Sequence, residues 1–535
     1  MLKIKFNPLI LIVIFISIYF SLLIISPVLL TSFNEPKNTV NWFAGLYYPD
    51  YFEYLSFIKQ GQQGHILLRN LFTNDDPAKI FTSWWIYPVI GYLSRFINPY
   101  LHLATVYWVT TLILGVIFLY LNYYVIELLF KKESFVTKLL SFLLLLTATG
   151  FFNLKFIPFD FWYSIGTPFS RFSFGAPHHQ IAHIAFLLAV ILLIRLDPET
   201  KPWQKTIILL FFSLLLLVSS PPILFLLWLV YFTGLSVYYF KSNWKTKLIK
   251  YTPFIISGCF VFPIVFIIKQ ALGSSPTIVS GNQWDLKSFY YPPLWLFILT
   301  TGPLFILAIL GLKEYFKKIS FERFIFFLIT MFCFFFCLVP VTLFSNNILS
   351  LFGFHNLRLL ISSSYIFLVL SSVLFLKKIL NKKWLYACIV LLIFFTPPLY
   401  TTWKNNLKTP YNAAYLQFMP NDMYTGLKSL ESNKSNGFVL TSPGSSLGIV
   451  VPAISGRTVY FGRTIFTLNY DEKQQKANDF YQMKMSEDEA IQFIKKEGIT
   501  EIILTTWEVD KNQFFNRYSF LKPIMTNNQI AIFTL

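Results

Sequence analysis

Two carboxylates, Asp50 and Glu53, lie three residues apart in the aromatic stretch Tyr47–Tyr54, about 20 residues beyond the first long apolar run. This spacing places both side chains on one face of a helix. A positioned carboxylate can accept a proton from a reacting group as a general base. The pair could also be a simple helix start, because Pro49 precedes it and the first helical turn favours carboxylates. The apolar surroundings make charge costly and favour the functional interpretation.

The elements that position this pair are those of a membrane protein. Of the 535 residues, 55% are hydrophobic, 19% aromatic and only 13% charged, against about 25% charged in a soluble protein. Runs of about 20 apolar residues recur over roughly the first 400 residues, and each could cross a ~30 Å hydrocarbon core. We therefore predict a polytopic α-helical membrane protein. All four cysteines lie in apolar runs, so neither a disulfide framework nor a cysteine metal site is predicted.

Eleven transmembrane helices are predicted. They cover residues 8–30, 102–128, 137–156, 179–195, 206–220, 222–240, 251–268, 292–312, 323–343, 359–376 and 384–402. The first outer loop, about 31–101, is too polar for a simple helix pair. Within it, Asp50–Gly61 and Pro77–Phe96 predict interfacial helices rich in Trp and Tyr. Residues 77–97 could instead be a short span.

Lys and Arg are concentrated in alternate, short connectors between the spans. Cytoplasmic loops carry such an excess of basic residues. The bias predicts an integral plasma (cytoplasmic) membrane protein with a cytoplasmic N-terminus, and it places the first outer loop and the C-terminal segment outside. The net charge of +19 is thereby assigned to cytoplasmic loops, and no nucleic-acid partner is predicted.

The span cores contain almost no ionisable residue, although ion-coupled transporters usually keep such residues within the membrane. We therefore expect the chemistry in the outer loops, where the polar candidates collect. Besides the Asp50–Glu53 pair, these are Asp75, Asp76, Asp160, Asp285, Arg171, His178, His179, His355 and Arg358. The sequence has no Gly-x-Gly-x-x-Gly, Walker A, His-Glu-x-x-His or Gly-x-Ser-x-Gly motif, which argues against the enzyme classes that those motifs mark.

The composition changes to ordinary polarity after Trp403. We predict a transmembrane domain over 1–403 and a small extracytoplasmic α/β domain over 404–535. The predicted strands are Gly437–Thr441, Arg457–Phe461, Glu501–Leu504 and Gln529–Leu535. A capping box at Ser486–Glu489 predicts a helix that continues to Lys496 and ends before Gly498.

The arrangement resembles the GT-C superfamily of membrane glycosyltransferases, which includes protein O-mannosyltransferases, the aminoarabinose transferase of lipid A and oligosaccharyltransferase. The likeness covers the whole chain in architecture. It rests on Pro49-Asp50 after the first helix, the Pro-containing stretch Trp84–Pro88, the basic residue Arg358 and the segment Gly456–Gly462. The last of these is similar to uncharacterised bacterial members.

The resemblance implies an inverting, polyprenyl-phosphate-sugar-dependent glycosyltransferase of the cell envelope, with the lipid membrane, the lipid-linked donor and an unknown acceptor as partners. Asp50 would be the general base, and Glu53 would orient it or bind acceptor hydroxyls. The donor phosphate would be bound by Arg358, whose forked donors match phosphate oxygens, and His355. Arg171, His178 and His179 would lie at the level of the lipid headgroup.

Other interpretations stay open for these residues. Arg358 could mark the membrane interface by snorkelling. The His178–His179 pair could cap a span or ligate a metal. The second outer loop has a lone Asp160 in place of the Asp-x-Asp of metal-dependent members, so no metal ligands or cofactor are assigned, and a divalent metal is left open. The alternative functions are a lipid-linked saccharide transporter or flippase and a non-catalytic scaffold with a GT-C-like architecture.

Overall fold

The structure, a computed structural model, describes residues 8–44, 48–75, 80–81, 84–98, 101–159, 176–196, 202–273, 292–317, 319–339, 363–406, 414–432, 436–506 and 510–535. The helices of its first 406 residues are α1 Pro8–Leu30, α2 Tyr48–Gln62, α3 Ile86–Ile97, α4 Leu103–Leu129, α5 Phe135–Thr147, α6 Pro177–Arg195, α7 Pro202–Ser219, α8 Pro221–Tyr238, α9 Trp244–Gly273, α10 Leu294–Thr301, α11 Pro303–Phe316, α12 Phe321–Leu338, α13 Ser364–Leu380 and α14 Trp384–Asn406. Six helices follow: α15 Ala414–Gln417, α16 Asn421–Ser429, α17 Leu447–Ser455, α18 Tyr470–Tyr481, α19 Glu487–Glu497 and α20 Lys511–Arg517.

Eight stretches of helix within the described ranges are long and apolar enough to cross a membrane, or nine if the bent pair α10–α11 is one span. The predicted class, a polytopic helical membrane protein, is confirmed. Each of the eleven predicted apolar stretches contains helix, but two depart from a simple span. The predicted span 137–156 is helical only as the 13-residue α5, and α10 and α11 meet at an 88° bend. Gly302 between them has φ +76°, which favours glycine.

The chain divides into two compact units. The first comprises Met1–Pro27, Val109–Lys269 and Ser288–Leu407. Within it α11 and α13 pack closely, because a Cβ on Gly311 would lie 2.2 Å from the Ser371 carbonyl oxygen, and small residues allow helix backbones to approach in membranes. The Ser371 hydroxyl donates to the Ala308 carbonyl at 2.8 Å.

Several connectors of the first unit that were predicted to be cytoplasmic carry ion pairs. Lys131 lies 3.8 Å from Glu322, and Lys378 lies 3.6 Å from Glu314. Lys377 also pairs with Glu133. These pairs join connectors that were all predicted to lie on one side of the membrane.

The second unit comprises Val28–Trp108, Gln270–Lys287 and Lys408–Leu535. Two short sheets involve the first outer loop: β1 Thr39–Asn41 pairs antiparallel with β4 Phe418–Pro420, and β2 Leu68–Arg69 pairs with β3 Ile80–Phe81. The larger sheet has the order β5-β6-β8-β7, formed by β5 Phe438–Thr441, β6 Ile499–Thr505, β7 Lys522–Thr526 and β8 Ile530–Thr534. Only β5 and β6 are parallel in this sheet.

Most of the predicted elements of the second unit are confirmed. The capping box is present, with Ser486 and Glu489 bonding reciprocally, and α19 ends at the left-handed Gly498. One predicted strand, Arg457–Phe461, is wrong. Val459 forms one isolated β-bridge to Val439 of β5, and Phe461 forms another to Thr73 of the first outer loop. The segment lies between these two elements and is not a regular strand.

The predicted helix Pro77–Phe96 is too long. Its described part begins as α3 at Ile86, and Ile80–Phe81 is paired in a strand instead. Strand β7 was not predicted. It contains a proline and four of its five residues are exposed, and its sequence lacks the apolar alternation from which a strand is predicted.

Helices α2 and α3 pack backbone to backbone through two glycines. A Cβ on Gly61 would lie 2.1 Å from the Pro88 carbonyl oxygen, and one on Gly91 would lie 2.1 Å from the Ile58 carbonyl oxygen. Both contacts are to backbone, so no side-chain rotation can relieve them. This packing fixes the helix that carries Asp50.

Gly91→Ala is therefore expected to destabilise the protein by about 1–3 kcal/mol, the usual cost of overpacking. The measurement is the melting temperature of the purified protein in detergent. Gly258→Ala is the control, since the nearest atoms there belong to the Trp228 ring at 3.3 Å. A melting temperature for Gly91→Ala equal to that of the control would contradict the packing described here.

Candidate active site

Helix α2 positions both carboxylates of the candidate site. It begins at Tyr48 with Pro49 in its first turn, where the missing N–H of proline costs nothing. Its apolar face buries Phe52, Leu55 and Phe57. The Asp50 side chain, in the first turn, is 41% exposed, whereas that of Glu53 is only 2% exposed. The helix thus presents one carboxylate outward and holds the other inside the protein.

Arg463 binds both carboxylates. Its Nη2 donates to Oδ1 of Asp50, and its Nε donates to Oε2 of Glu53 at 3.3 Å. The arginine side chain is 14% exposed. One guanidinium therefore bridges two acidic groups that are one helical turn apart, which suits the fixed fork of donors on arginine.

Burial controls the protonation of this cluster. Burial raises the pKa of Glu53 to about 8, with Asp50 adding to the rise and Arg463 opposing it. Burial lowers the pKa of Arg463, but Glu53 and Asp50 outweigh that effect and raise it above its ordinary value. At neutral pH Glu53 is therefore mostly protonated.

An aromatic wall adjoins the carboxylates. The rings of Tyr54 and Tyr87 stack with centroids 4.6 Å apart, and Tyr107 lies nearly parallel to both at 6.3 and 6.2 Å. The Tyr51 hydroxyl donates to the Trp42 carbonyl at 2.8 Å. The wall shields the buried side of the cluster from water, and this accounts for the raised pKa of Glu53.

The first outer loop holds the segment that carries Arg463. The Asn70 amide donates to the Phe466 carbonyl at 2.9 Å, and the Thr467 hydroxyl donates to the Phe72 carbonyl at 2.8 Å. A Cβ on Gly462 would lie 2.5 Å from the Gly448 carbonyl oxygen, so only glycine allows this approach. The position of Arg463 is thus fixed from both sides.

Glu53 makes the stability depend on pH in a defined direction. Its folded pKa of about 8 is above the ordinary value of 4.5. Between these values the folded state holds a proton that the unfolded state has lost, so stability falls as pH rises. We expect the melting temperature of Glu53→Gln, relative to wild type, to increase from pH 5 to pH 8. A difference that is constant across this range would contradict the assignment.

The structure describes four of the seven predicted site residues. Asp50 and Glu53 lie together as expected. His178 and His179 occupy the first turn of α6, with ring centroids 4.0 Å apart. Arg171, His355 and Arg358 lie outside the described residues, so their roles stay predictions.

The residues that the structure describes contain no group of three or more His, Cys, Asp or Glu that could hold a metal ion. Asp50 and Glu53 are only two carboxylates, and both are bound to Arg463. This part of the chain does not complete a metal site, and no step is assigned to a metal.

The residue missed by the sequence analysis is Arg463. A signal for it exists, because Gly-Arg-Thr occurs twice, at 456–458 and 462–464. Each arginine of this repeat binds a buried glutamate. Arg457 pairs with Glu501, with the closest nitrogen and oxygen 2.7 Å apart, and Arg463 binds Glu53. The segment singled out for its resemblance ended one residue before Arg463.

The known proteins that resemble this chain do so in fold. One is an oligosaccharyltransferase from Archaeoglobus fulgidus, solved in the apo form. The match covers 93% of this chain and 69% of the archaeal chain, with a TM-score of 0.55 and 10% sequence identity. The chain therefore shares the fold of this oligosaccharyltransferase. AglB from the same organism, in complex with an inhibitory peptide and a dolichol-phosphate, matches the same shares at a TM-score of 0.53 and 12% identity.

The Archaeoglobus enzyme in complex with Zn and sulfate gives a TM-score of 0.52 at 12% identity, over 92% of this chain and 68% of its own. Neither a protein-family model nor a curated protein sequence matches the chain. The predicted likeness in fold to oligosaccharyltransferase is confirmed, and the protein is an integral membrane protein.

Proposed function

We propose that this GT-C protein transfers a sugar from a polyprenyl-phosphate donor to an acceptor hydroxyl at the outer face of the membrane, with Asp50 as general base. The observation that carries the proposal is the half-exposed Asp50, held by Arg463 at the start of α2 in a chain with this fold. Similarity to a protein solved with a dolichol-phosphate supports a lipid-linked donor.

The proposed reaction is a single displacement. The acceptor oxygen attacks the anomeric carbon as Asp50 takes its proton, and the bond between that carbon and the phosphate oxygen breaks. The polyprenyl phosphate leaves with the electron pair, and the configuration of the sugar is inverted. We assign the binding of the donor phosphate to Arg358, His355, Arg171, His178 and His179. The proposed domains are a transmembrane domain, 1–403, and an extracytoplasmic domain, 404–535.

The test is a transfer assay with the purified full chain in lipid nanodiscs. Radiolabelled undecaprenyl-phosphate mannose, glucose and aminoarabinose serve as donors, with peptide and lipid acceptors. We expect release of undecaprenyl phosphate together with a labelled product for at least one pair. Movement of a donor across sealed proteoliposomes without cleavage would favour the flippase instead, and neither transfer nor movement would favour the scaffold.

A further inference from the structure

We propose that Arg463, supplied by the C-terminal segment, is a positioning residue that holds Asp50 in place for proton transfer, with Glu53 anchoring the guanidinium on its buried side. This inference rests on the proposed function and adds to it. It makes the C-terminal segment a part of the active site as well as an appended domain.

The contacts at Asp50 favour positioning over simple pairing. Arg463 binds only Oδ1 of Asp50. Within the described ranges Oδ2 accepts no hydrogen bond, and the side chain is 41% exposed. One oxygen is therefore held while the other is available to a substrate hydroxyl. A base must lie within hydrogen-bond reach of the proton that it takes, and the bond from Arg463 to Oδ1 holds the carboxylate by its other oxygen.

The second contact of Arg463 gives the guanidinium a fixed orientation. Its Nε donates to Glu53, whose side chain is 2% exposed and lies on the same rigid helix as Asp50. An arginine bound at one end only could swing away with the exposed carboxylate. Because the guanidinium is also bound to Glu53, it cannot move outward with the Asp50 side chain. It therefore limits the movement of that side chain.

The charges around the cluster support the same conclusion. Among the described residues, the ionisable groups that face Arg463 and the two carboxylates are Tyr54 on α2, Tyr107 on α4 and Tyr470 on α18. Burial raises the pKa values of Tyr54 and Tyr470, so both stay neutral near pH 7. Burial likewise raises the pKa of Glu53 to about 8, so Arg463 lies between a largely neutral buried carboxyl and the exposed carboxyl of Asp50.

The neighbouring Arg457 shows what a structural ion pair looks like in this segment. It binds both carboxylate oxygens of Glu501, at 3.0 and 2.7 Å, and the Glu501 side chain is only 1% exposed. No substrate can reach that carboxylate. Arg463 binds the accessible carboxylate of Asp50 in addition to the buried Glu53, and this difference separates the two arginines of the repeat.

The experiment compares Arg463→Lys, Arg463→Ala and the matched control Arg457→Lys in the transfer assay. A misplacement of about 1 Å can cost about 10²-fold in rate, so we expect Arg463→Lys and Arg463→Ala to lose about that factor in kcat with a smaller change in KM. Guanidinium chloride at millimolar concentration should restore part of the Arg463→Ala rate. The acid limb of the pH–rate profile of Arg463→Ala should move to higher pH, because removal of the positive charge beside Asp50 favours the protonated carboxyl.

The control variant should retain the wild-type pH profile and should not respond to guanidinium. If Arg463→Ala does not fold, Arg463→Lys decides the matter through its kcat, because lysine keeps the charge but not the fork of donors. A wild-type kcat and pH profile in a folded Arg463 variant would overturn the inference while leaving the proposed function intact. An inactive wild-type protein with every donor would instead overturn the proposed function.

Discussion

Asp50→Asn is expected to lower the rate of sugar transfer by about 10²–10⁴-fold, the usual contribution of a general base. The amide is nearly isosteric with the carboxylate but cannot accept the acceptor proton. Asp50 lies in the first helical turn and is half exposed, so the substitution should leave the fold intact. The measurement is the initial rate of undecaprenyl phosphate release, with the melting temperature recorded in parallel.

Asp75→Asn is the matched control for this prediction. Asp75 belongs to the same outer loop and also pairs with a buried cation, Lys473, at 2.7 Å, but its ion pair joins the outer loop to α18. The control should transfer sugar at a rate close to wild type. Equal rates for Asp50→Asn and wild type would remove Asp50 from the mechanism, and equal losses in both variants would point to a general structural effect.

The second large effect is expected at the buried pair Arg457–Glu501. Arg457→Leu leaves the Glu501 carboxylate, 1% exposed, without its bidentate partner. Breaking a buried ion pair by removing one member typically costs about 3–5 kcal/mol, because an uncompensated charge stays in the interior. We expect a marked fall in the melting temperature of the full chain and increased proteolysis of its C-terminal segment.

The double variant Arg457→Leu/Glu501→Leu separates this explanation from loss of packing. Replacing both charges by apolar groups is often neutral or stabilising, so the double variant should be more stable than Arg457→Leu alone. If the double variant is the less stable of the two, the arginine acts through its other contacts, such as the bond from Nη2 to the Gly437 carbonyl, and the ion-pair explanation is wrong.

The parts of the fold that depend on local sequence were predictable. Apolar runs gave the helices because membrane spans need little information beyond length and hydropathy. The capping box at Ser486–Glu489 and the left-handed Gly498 fixed both ends of α19, since caps act within a few residues. Asp50 and Glu53 were found because their spacing and surroundings lie in one short stretch.

The rest of the site could not be predicted because it depends on contacts between distant parts of the chain. Arg463 and Asp50 are 413 residues apart, and nothing in the sequence near either residue indicates the other. The same limit explains the wrong strand at Arg457–Phe461. Its partners include Thr73 of the first outer loop, so its conformation is set by packing between the loop and the C-terminal segment.

A structure with a bound donor analogue tests the central claim most directly. The full chain would be imaged by electron cryomicroscopy in nanodiscs with a non-transferable undecaprenyl-phosphonate sugar. The proposed function predicts that the sugar lies beside Asp50, with Oδ2 facing the side of the anomeric carbon opposite the phosphonate and Arg463 still bound to Oδ1. A sugar bound elsewhere, with Asp50 out of reach of any acceptor position, would contradict the proposed site.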